Sequence, residues 1–323
     1  MTENQPILEI EDLQVQYAVR TGTIKGVDHV DLMVYEGETL GLVGESACGK
    51  STLGRAILRL VSEPGEIVGG KILFNGEDLL AKEQAEMAKI RGNNISMIFQ
   101  DPMTSLDPLQ RIDNHFIETI RTHQKGIKKA EALKMARTMF EHLGIQTERL
   151  NDFPHQLSGG MRQRVMIGLA LILSSDLVIA DEPTTSLDVI VEAQILDLLK
   201  DLKEAYHMTL ILISHNLGIV AELADRLAVM YAGKLVEVAP AEQLFAEPLH
   251  PYTQGLLASV PNIRLEDEDL RTMDGAPPDL IHPPSGCRFH PRCPRVLERC
   301  RHEEPAFEQV RPKCWTMCWL YND

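Results

Sequence analysis

The 323-residue sequence contains no run of about 18 or more uncharged apolar residues, so it predicts no bilayer-spanning helix. Its first residues, Met1-Thr2-Glu3-Asn4-Gln5-Pro6, lack a basic start and an apolar stretch. No secretory leader is therefore expected, and the cytosol is the expected compartment. Positive charge is scarce: 32 Lys and Arg stand against 47 Asp and Glu, a formal net charge of -15. That balance argues against a protein whose main business is gripping nucleic-acid phosphates. It leaves room for a local anion site, which needs only oriented N–H groups and one lysine. Cysteine is almost missing before position 286, where Cys48 stands alone, and the other five follow it. Where disulfides are rare, such clustering points toward metal ligation. No internal repeat is present.

The length suits one large α/β domain plus an extension, and 44% hydrophobic residues leave ample material for a core. Residues Ile7 to Tyr17 partly alternate apolar and polar, as a half-buried strand does, and a second alternating run covers Val30 to Val34. Thr39 to Val43 reads as a short apolar strand, followed by a Gly-rich loop and a helix over Thr52 to Leu60. Gly69 to Glu77 reads as strand plus turn. From about 101 to 172 the pattern becomes helical, with Ala132, Met135, Ala136, Met139, Phe140 and Leu143 on one face of Lys128 to Leu143. Strands return at Leu177 to Ala180 and Thr209 to Ile213, with a helix through Val191 to Leu202 between them. Alternating strand and helix predicts a mostly parallel sheet. Beyond about 235, repeated prolines and the acidic patch Glu266-Asp267-Glu268-Asp269 mark a different segment, an extension attached to the core.

Gly44-Glu45-Ser46-Ala47-Cys48-Gly49-Lys50-Ser51 fits the P-loop pattern, and its strand–loop–helix setting separates it from an ordinary glycine turn. Residues Gly44 to Gly49 would turn backbone N–H groups toward phosphate oxygens, and the following helix adds its positive end. Lys50 would reach the β and γ phosphates, Ser51 would offer its hydroxyl to Mg²⁺, and Thr52 follows in the ATP-binding set. Alanine tolerates positive φ poorly, so position 47 is expected outside the left-handed region. Cys48, near phosphate-binding N–H groups, has two readings: a thiol of lowered pKa open to redox control, or a small neutral filler. Asp181 and Glu182 end the apolar strand Leu177 to Ala180, where open α/β sheets bind ligands. Asp181 suits Mg²⁺, and Glu182 suits a general base acting on water.

Leu157-Ser158-Gly159-Gly160-Met161-Arg162-Gln163-Arg164 resembles the signature motif of ATP-binding cassette (ABC) ATPases. Tyr17, Gln100, Ser186-Leu187-Asp188 and His215 complete the family's motifs in order, and the resemblance covers about 7 to 240. It implies an α/β P-loop NTPase core over 1–100 and 173–235 with an antiparallel β subdomain. A helical subdomain over 101–172 would carry the signature motif, and 236–323 would be a C-terminal extension with a cysteine cluster. In the family's terms Tyr17 stacks on adenine, a strand-end core tyrosine being the alternative. Gln100 touches Mg²⁺ and the attacking water, and His215 contacts the γ-phosphate. Ser158, Gly159, Gly160 and Asp188 close on ATP bound by the opposite subunit, so two sites are completed only when two ATPase subunits face each other.

Phe99-Gln100-Asp101-Pro102-Met103-Thr104-Ser105-Leu106, His250-Pro251-Tyr252-Thr253-Gln254-Gly255-Leu256-Leu257 and Gly286-Cys287-Arg288-Phe289-His290-Pro291-Arg292-Cys293-Pro294 resemble oligopeptide/dipeptide importer ATPases. Val68 to Phe74 leans toward the D-type member of the paired D and F subunits. Cys287, Cys293 and Cys300 are separated by five and six residues, and seventeen more lead to Cys318. Four thiolates suit an iron–sulfur cluster, whereas structural zinc takes closer pairs, of which Cys314 and Cys318 are one. The resemblance favours a [4Fe-4S] cluster on Cys287, Cys293, Cys300 and Cys318, with zinc, unliganded thiols or disulfides as alternatives.

The function expected from the resemblance is ATP hydrolysis energising peptide import at the cytoplasmic face of the inner membrane. Its partners would be a second ABC ATPase subunit of F type, two permease subunits and an extracytoplasmic solute-binding protein, with no nucleic acid. An importer of nickel or another metal chelate from the same branch is one alternative. A soluble ABC ATPase acting on nucleic acid is the other, disfavoured by the charge balance and by the lack of coiled-coil insertions.

Overall fold

Alternation along the first strand breaks and then resumes in phase. Leu8 and Ile10 are buried, and so are Leu13 and Val15, three residues further on rather than two. A β-bulge absorbs the odd residue: the pairing register shifts between Ile10 and Leu13, and Asp12 takes φ 47. The computed structural model describes residues 5–101, 105–185, 187–259 and 273–321. The acidic patch at 266–269 and Ser186 lie outside the described residues, as do Pro102, Met103 and Thr104.

In chain order the elements are β1 (Pro6–Val19), β2 (Gly22–Tyr35), β3 (Thr39–Val43), α1 (Lys50–Ile57), β4 (Gly65–Phe74), β5 (Glu77–Asp78), α2 (Gln84–Ile90) and β6 (Ile95–Ile98). There follow α3 (Ile112–His123), α4 (Lys129–His142), α5 (Gly159–Leu171), β7 (Leu177–Asp181), α6 (Val189–Tyr206), β8 (Thr209–Ser214) and α7 (Leu217–Leu223). Last come β9 (Arg226–Tyr231), β10 (Lys234–Pro240), α8 (Ala241–Ala246), α9 (Pro251–Ala258), β11 (Glu308–Arg311) and β12 (Cys314–Thr316). The chain forms two compact units, residues 1–81 with 213–323, and residues 82–212.

The first unit holds the antiparallel sheet β2-β1-β4-β5 and the strand run β11-β12-β10-β9-β3. Asn75 and Gly76, both at positive φ, make the two-residue turn that joins β4 to β5. β3 runs parallel to β9 and all five of its residues are buried. Gly41 is required there, because a Cβ would sit 2.2 Å from Val220 of α7 and 2.6 Å from Leu227. The extension is joined to this unit by strand pairing: β10 pairs with β9 on one side and with β12 on the other.

In the second unit β6 and β7 pair in parallel and the strand run is β8-β7-β6. In α4, Ala132, Ala136, Met139 and Phe140 are buried as the spacing predicts, and so is Leu143 just beyond it, whereas Met135 is only half-buried. Phe116 of α3 meets Phe140 edge-on at 5.6 Å between ring centroids. Gly168 lets α5 close on both, since a Cβ there would lie 2.6 Å from Leu143 and 3.1 Å from Met139. No helix of the described residues is long and apolar enough to cross a membrane.

Candidate functional site: a P-loop, a strand-end carboxylate pair and a signature cleft

The loop between β3 and α1 is held from below by close backbone approach. A Cβ on Gly44 would lie 2.2 Å from the Met230 carbonyl oxygen, and one on Gly49 2.1 Å from that of Gly26. Both glycines have positive φ, 152 and 110. The expectation for Ala47 is corrected: its φ is 63, in the left-handed region. The loop's curvature imposes that conformation, and alanine, the smallest L side chain, bears it at about 1–2 kcal/mol while remaining exposed. Lys50 is buried, with 4% of its surface exposed. Its Nζ donates to the carbonyl oxygens of Gly44 at 2.8 Å and Glu45 at 3.0 Å.

The suggestion of an acidified Cys48 is also corrected. Burial pushes this thiol up, and the neighbouring Lys50 offsets it only in part. Its side chain lies under the loop, and its carbonyl accepts the Gly233 N–H at 2.8 Å. Ser51 and Thr52 open α1, and the Thr52 hydroxyl is 3.1 Å from the Tyr17 hydroxyl. Tyr17 is thus tied by its phenol end to the helix that the P-loop begins.

In the second unit Asp181 ends β7 fully buried, and Glu182 follows at φ 47. A left-handed glutamate is a strained position of the kind that marks functional sites. The Gln100 amide Nε2 donates to Glu182 Oε2 at 3.0 Å, and the Thr185 hydroxyl donates to the same oxygen at 2.9 Å. The structure therefore brings together Gln100 and Glu182, 82 residues apart in sequence. His215 is exposed just before α7, whose N-cap Asn216 accepts the Gly218 N–H at 3.0 Å.

Ser158, Gly159, Gly160 and Asp188 share one open cleft of about 620 Å³. Ser158 caps α5, its hydroxyl accepting the Met161 N–H, and Asp188 caps α6 through the Val191 N–H. Gly160 allows the approach, because a Cβ would stand 2.7 Å from Val191. Two large apolar side chains beside this cleft escaped the sequence reading: Val189 is 80% exposed and Ile190 73%. The signal for them was available, since two β-branched apolar residues follow Asp188 where a helix begins.

In the extension, Glu237 lies outside every motif of the sequence. Glu237 is fully buried, and its carboxylate accepts the N–H groups of Leu249 and His250, both at 2.8 Å. Burial raises its pKa and those donors oppose the shift. Buried Arg288 donates to the Asp28 carboxylate and to the Ala232 carbonyl.

Of the cysteines, Cys314 stands apart, its thiol 2.9 Å from the Gln243 amide oxygen. Burial pushes Cys287 up to about 12 and Cys318 up to about 11, and the charges of Cys293 and Cys300 add to both shifts. Cys287, Cys293, Cys300 and Cys318 are thus electrostatic neighbours, and none of them is joined in a disulfide. The structure does not show the cluster expected on these four thiols: among the described residues no group of three or more His, Cys, Asp or Glu is arranged to hold a metal ion.

Residues 27–185 match the family described as ABC transporter, and residues 236–300 match the oligopeptide/dipeptide transporter C-terminal region. The chain is 45% identical to the dipeptide transport ATP-binding protein DppD of Bacillus subtilis, covering 98% of this chain and 96% of that protein. It is 43% identical to the oligopeptide transport ATP-binding protein AppD of the same organism, covering 98% and 97%. Against the oligopeptide transport ATP-binding protein OppD of Salmonella typhimurium the identity is 44%, with coverage of 93% and 89%. Among solved structures, the dimeric bacterial ABC transporter cassette MJ0796 is similar with a TM-score of 0.65 and 26% identity, covering 72% of this chain and 98% of that one. Its post-hydrolysis dimer bound to ADP and Pi gives the same TM-score at 25% identity, with the same coverage.

Proposed function

We infer that this chain, which belongs to the ATP-binding proteins of the oligopeptide/dipeptide ABC transporters, energises import of di- or oligopeptides across the cytoplasmic membrane. It has the ABC ATPase fold and is an ATPase. The peptide cargo comes to it from the relatives' names. One observation of the chain itself carries the reading: Lys50, a buried ammonium resting on two neutral loop carbonyls. A buried charge held by neutral partners gains strongly from an arriving anion.

The proposed roles follow residue by residue. The P-loop N–H groups from Gly44 to Gly49 and the start of α1 bind phosphate, and Lys50 exchanges its carbonyls for phosphate oxygens. Tyr17 stacks on adenine, its orientation fixed by the bond to Thr52. Oxygen donors of Ser51, Gln100 and Asp181 form the set proposed for Mg²⁺; hydroxyl, amide and carboxylate oxygens are the hard donors that ion takes. Bound there, the ion neutralises phosphate charge and orients the triphosphate. Glu182, positioned by Gln100 and Thr185, accepts the proton of the attacking water, and His215 contacts the γ-phosphate.

The cleft at Ser158, Gly159, Gly160 and Asp188, flanked by exposed Val189 and Ile190, supports docking of a second ABC ATPase subunit, proposed to be an F-type chain. The complex would add two permease subunits and an extracytoplasmic solute-binding protein, with this chain peripheral on the cytoplasmic face. The C-terminal thiols stay outside the mechanism. Cys287, Cys293, Cys300 and Cys318 are the set a four-thiolate iron–sulfur group would draw on, and iron and sulfide content after anaerobic purification decides the matter.

The test of the whole reading is the reconstituted complex. A binding protein loaded with peptide is expected to raise its ATP turnover. Stimulation by nickel chelates alone, with peptides inert, would overturn the peptide cargo.

A further inference from the structure

The P-loop residue Glu45 is gripped from the C-terminal extension at two points. Arg292 donates through Nη1 to Glu45 Oε2 at 2.8 Å and through Nη2 to Oε1 at 3.0 Å, a bidentate fork. The Glu45 N–H donates to the Tyr252 hydroxyl at 2.8 Å. A third hold comes from the loop itself, where Lys50 Nζ takes the Glu45 carbonyl. Each gripping side chain is itself fixed. The Arg292 side chain is only 5% exposed, its Nε donates to the Asp274 carbonyl at 3.0 Å, and its guanidinium lies 5.8 Å from the Tyr231 ring. Tyr252 is fully buried, with ring centroids 4.5 Å from Tyr231 and 5.5 Å from Phe289.

A carboxylate in a phosphate-binding loop is an electrostatic problem, because it carries the sign of the ligand. The fork answers it by cancelling the Glu45 charge and by drawing the carboxylate onto Arg292. The Tyr252 hydroxyl fixes the peptide plane at the same residue, and so the direction of the loop. We propose that Arg292 and Tyr252 are positioning residues for the nucleotide site, through which the C-terminal extension sets the affinity of the P-loop for ATP. Neither touches phosphate; both act through Glu45. The inference rests on the P-loop being the nucleotide site, which Lys50→Ala tests separately while leaving the fork in place.

The experiment is equilibrium titration of the full-length chain with a fluorescent ATP analogue and Mg²⁺, with thermal melts reporting folding. Arg292→Ala is expected to weaken binding roughly tenfold or more, the scale of one lost charge compensation beside an anion. Raising the salt should shrink that deficit, because the exposed repulsion is screened. The double variant Glu45→Gln with Arg292→Ala should recover most of the loss, since the offending charge is gone. Tyr252→Phe keeps the buried ring and is the variant that folds in any case; a loss of about threefold or more is expected from its missing acceptor. In the assembled transporter the KM for ATP should rise in Arg292→Ala while kcat holds. Wild-type affinity in both Arg292→Ala and Tyr252→Phe, or a double variant as weak as Arg292→Ala at every salt concentration, overturns the inference. Full binding by Lys50→Ala overturns the site assignment beneath it.

Discussion

At the residue scale, Glu182 gathers the most constraint. It sits at positive φ, and one carboxylate oxygen takes donors from Gln100 and Thr185. Replacing it with Gln keeps the shape and removes the base. The expected result is ATP retained with turnover lower by about 10²–10⁴-fold, read by nucleotide binding and phosphate release on the same preparation. His250 offers a pH test. Its ring is buried and Nδ1 accepts the Tyr252 N–H at 3.0 Å. Burial holds its pKa down from 6.5 to about 3. The unfolded chain therefore binds a proton that the folded chain refuses. Its stabilising share is full above pH about 6.5 and drains as the pH falls toward 3, by up to about 1.4 kcal/mol per unit. Between pH 7.5 and 5, the melting temperature of wild type should drop further than that of His250→Gln. Parallel curves would assign the acid sensitivity elsewhere.

At the element scale, the approach of α3, α4 and α5 depends on Gly168. Gly168→Val would drive methyl groups into Leu143, Met139 and Phe116, and overpacking of this kind costs about 1–3 kcal/mol. A lower denaturation midpoint with unchanged slope is the expected reading. Elements with strong local signals were legible in the sequence: α4 from its period, β3 from its apolar run, the turn at Asn75-Gly76 from its residue types. Boundaries shifted where tertiary demands ruled. The helix expected from Thr52 begins at Lys50, because the phosphate loop delivers its last residue straight into the first turn, and it stops at Ile57, ahead of left-handed Arg59. β11 and β12 were not legible. They are four and three residues long, and their places are set by the edge of β10, which β12 joins and β11 extends, rather than by any alternation of their own. The same holds within the candidate site. P-loop roles follow from spacing within eight residues, whereas the Arg292–Glu45 fork joins positions 247 apart, and nothing in either local sequence announces the other.

At the scale of the whole molecule, the extension completes the unit it joins. β12 covers the edge of β10, Arg288 meets the buried Asp28, and Arg292 meets the P-loop. Ending the chain at residue 259 would strip all three at once. A bare strand edge and a buried carboxylate without its arginine predict a product found in the insoluble fraction, with no nucleotide binding in what remains soluble. Soluble, ATP-binding material of that length would show the extension to be an accessory. The placement of β12 also has a consequence in time. Synthesis passes Pro240 and then must run to Cys314 before the covering strand exists, an interval of roughly 4–15 s at about 5–20 residues per second. Throughout it, the nascent chain carries an open hydrogen-bonding edge on an otherwise finished sheet. The polypeptide is most in need of a chaperone's shelter between the emergence of β10 and that of β12, and a message cut short before the codon for Cys314 forfeits the latch that ends that exposure.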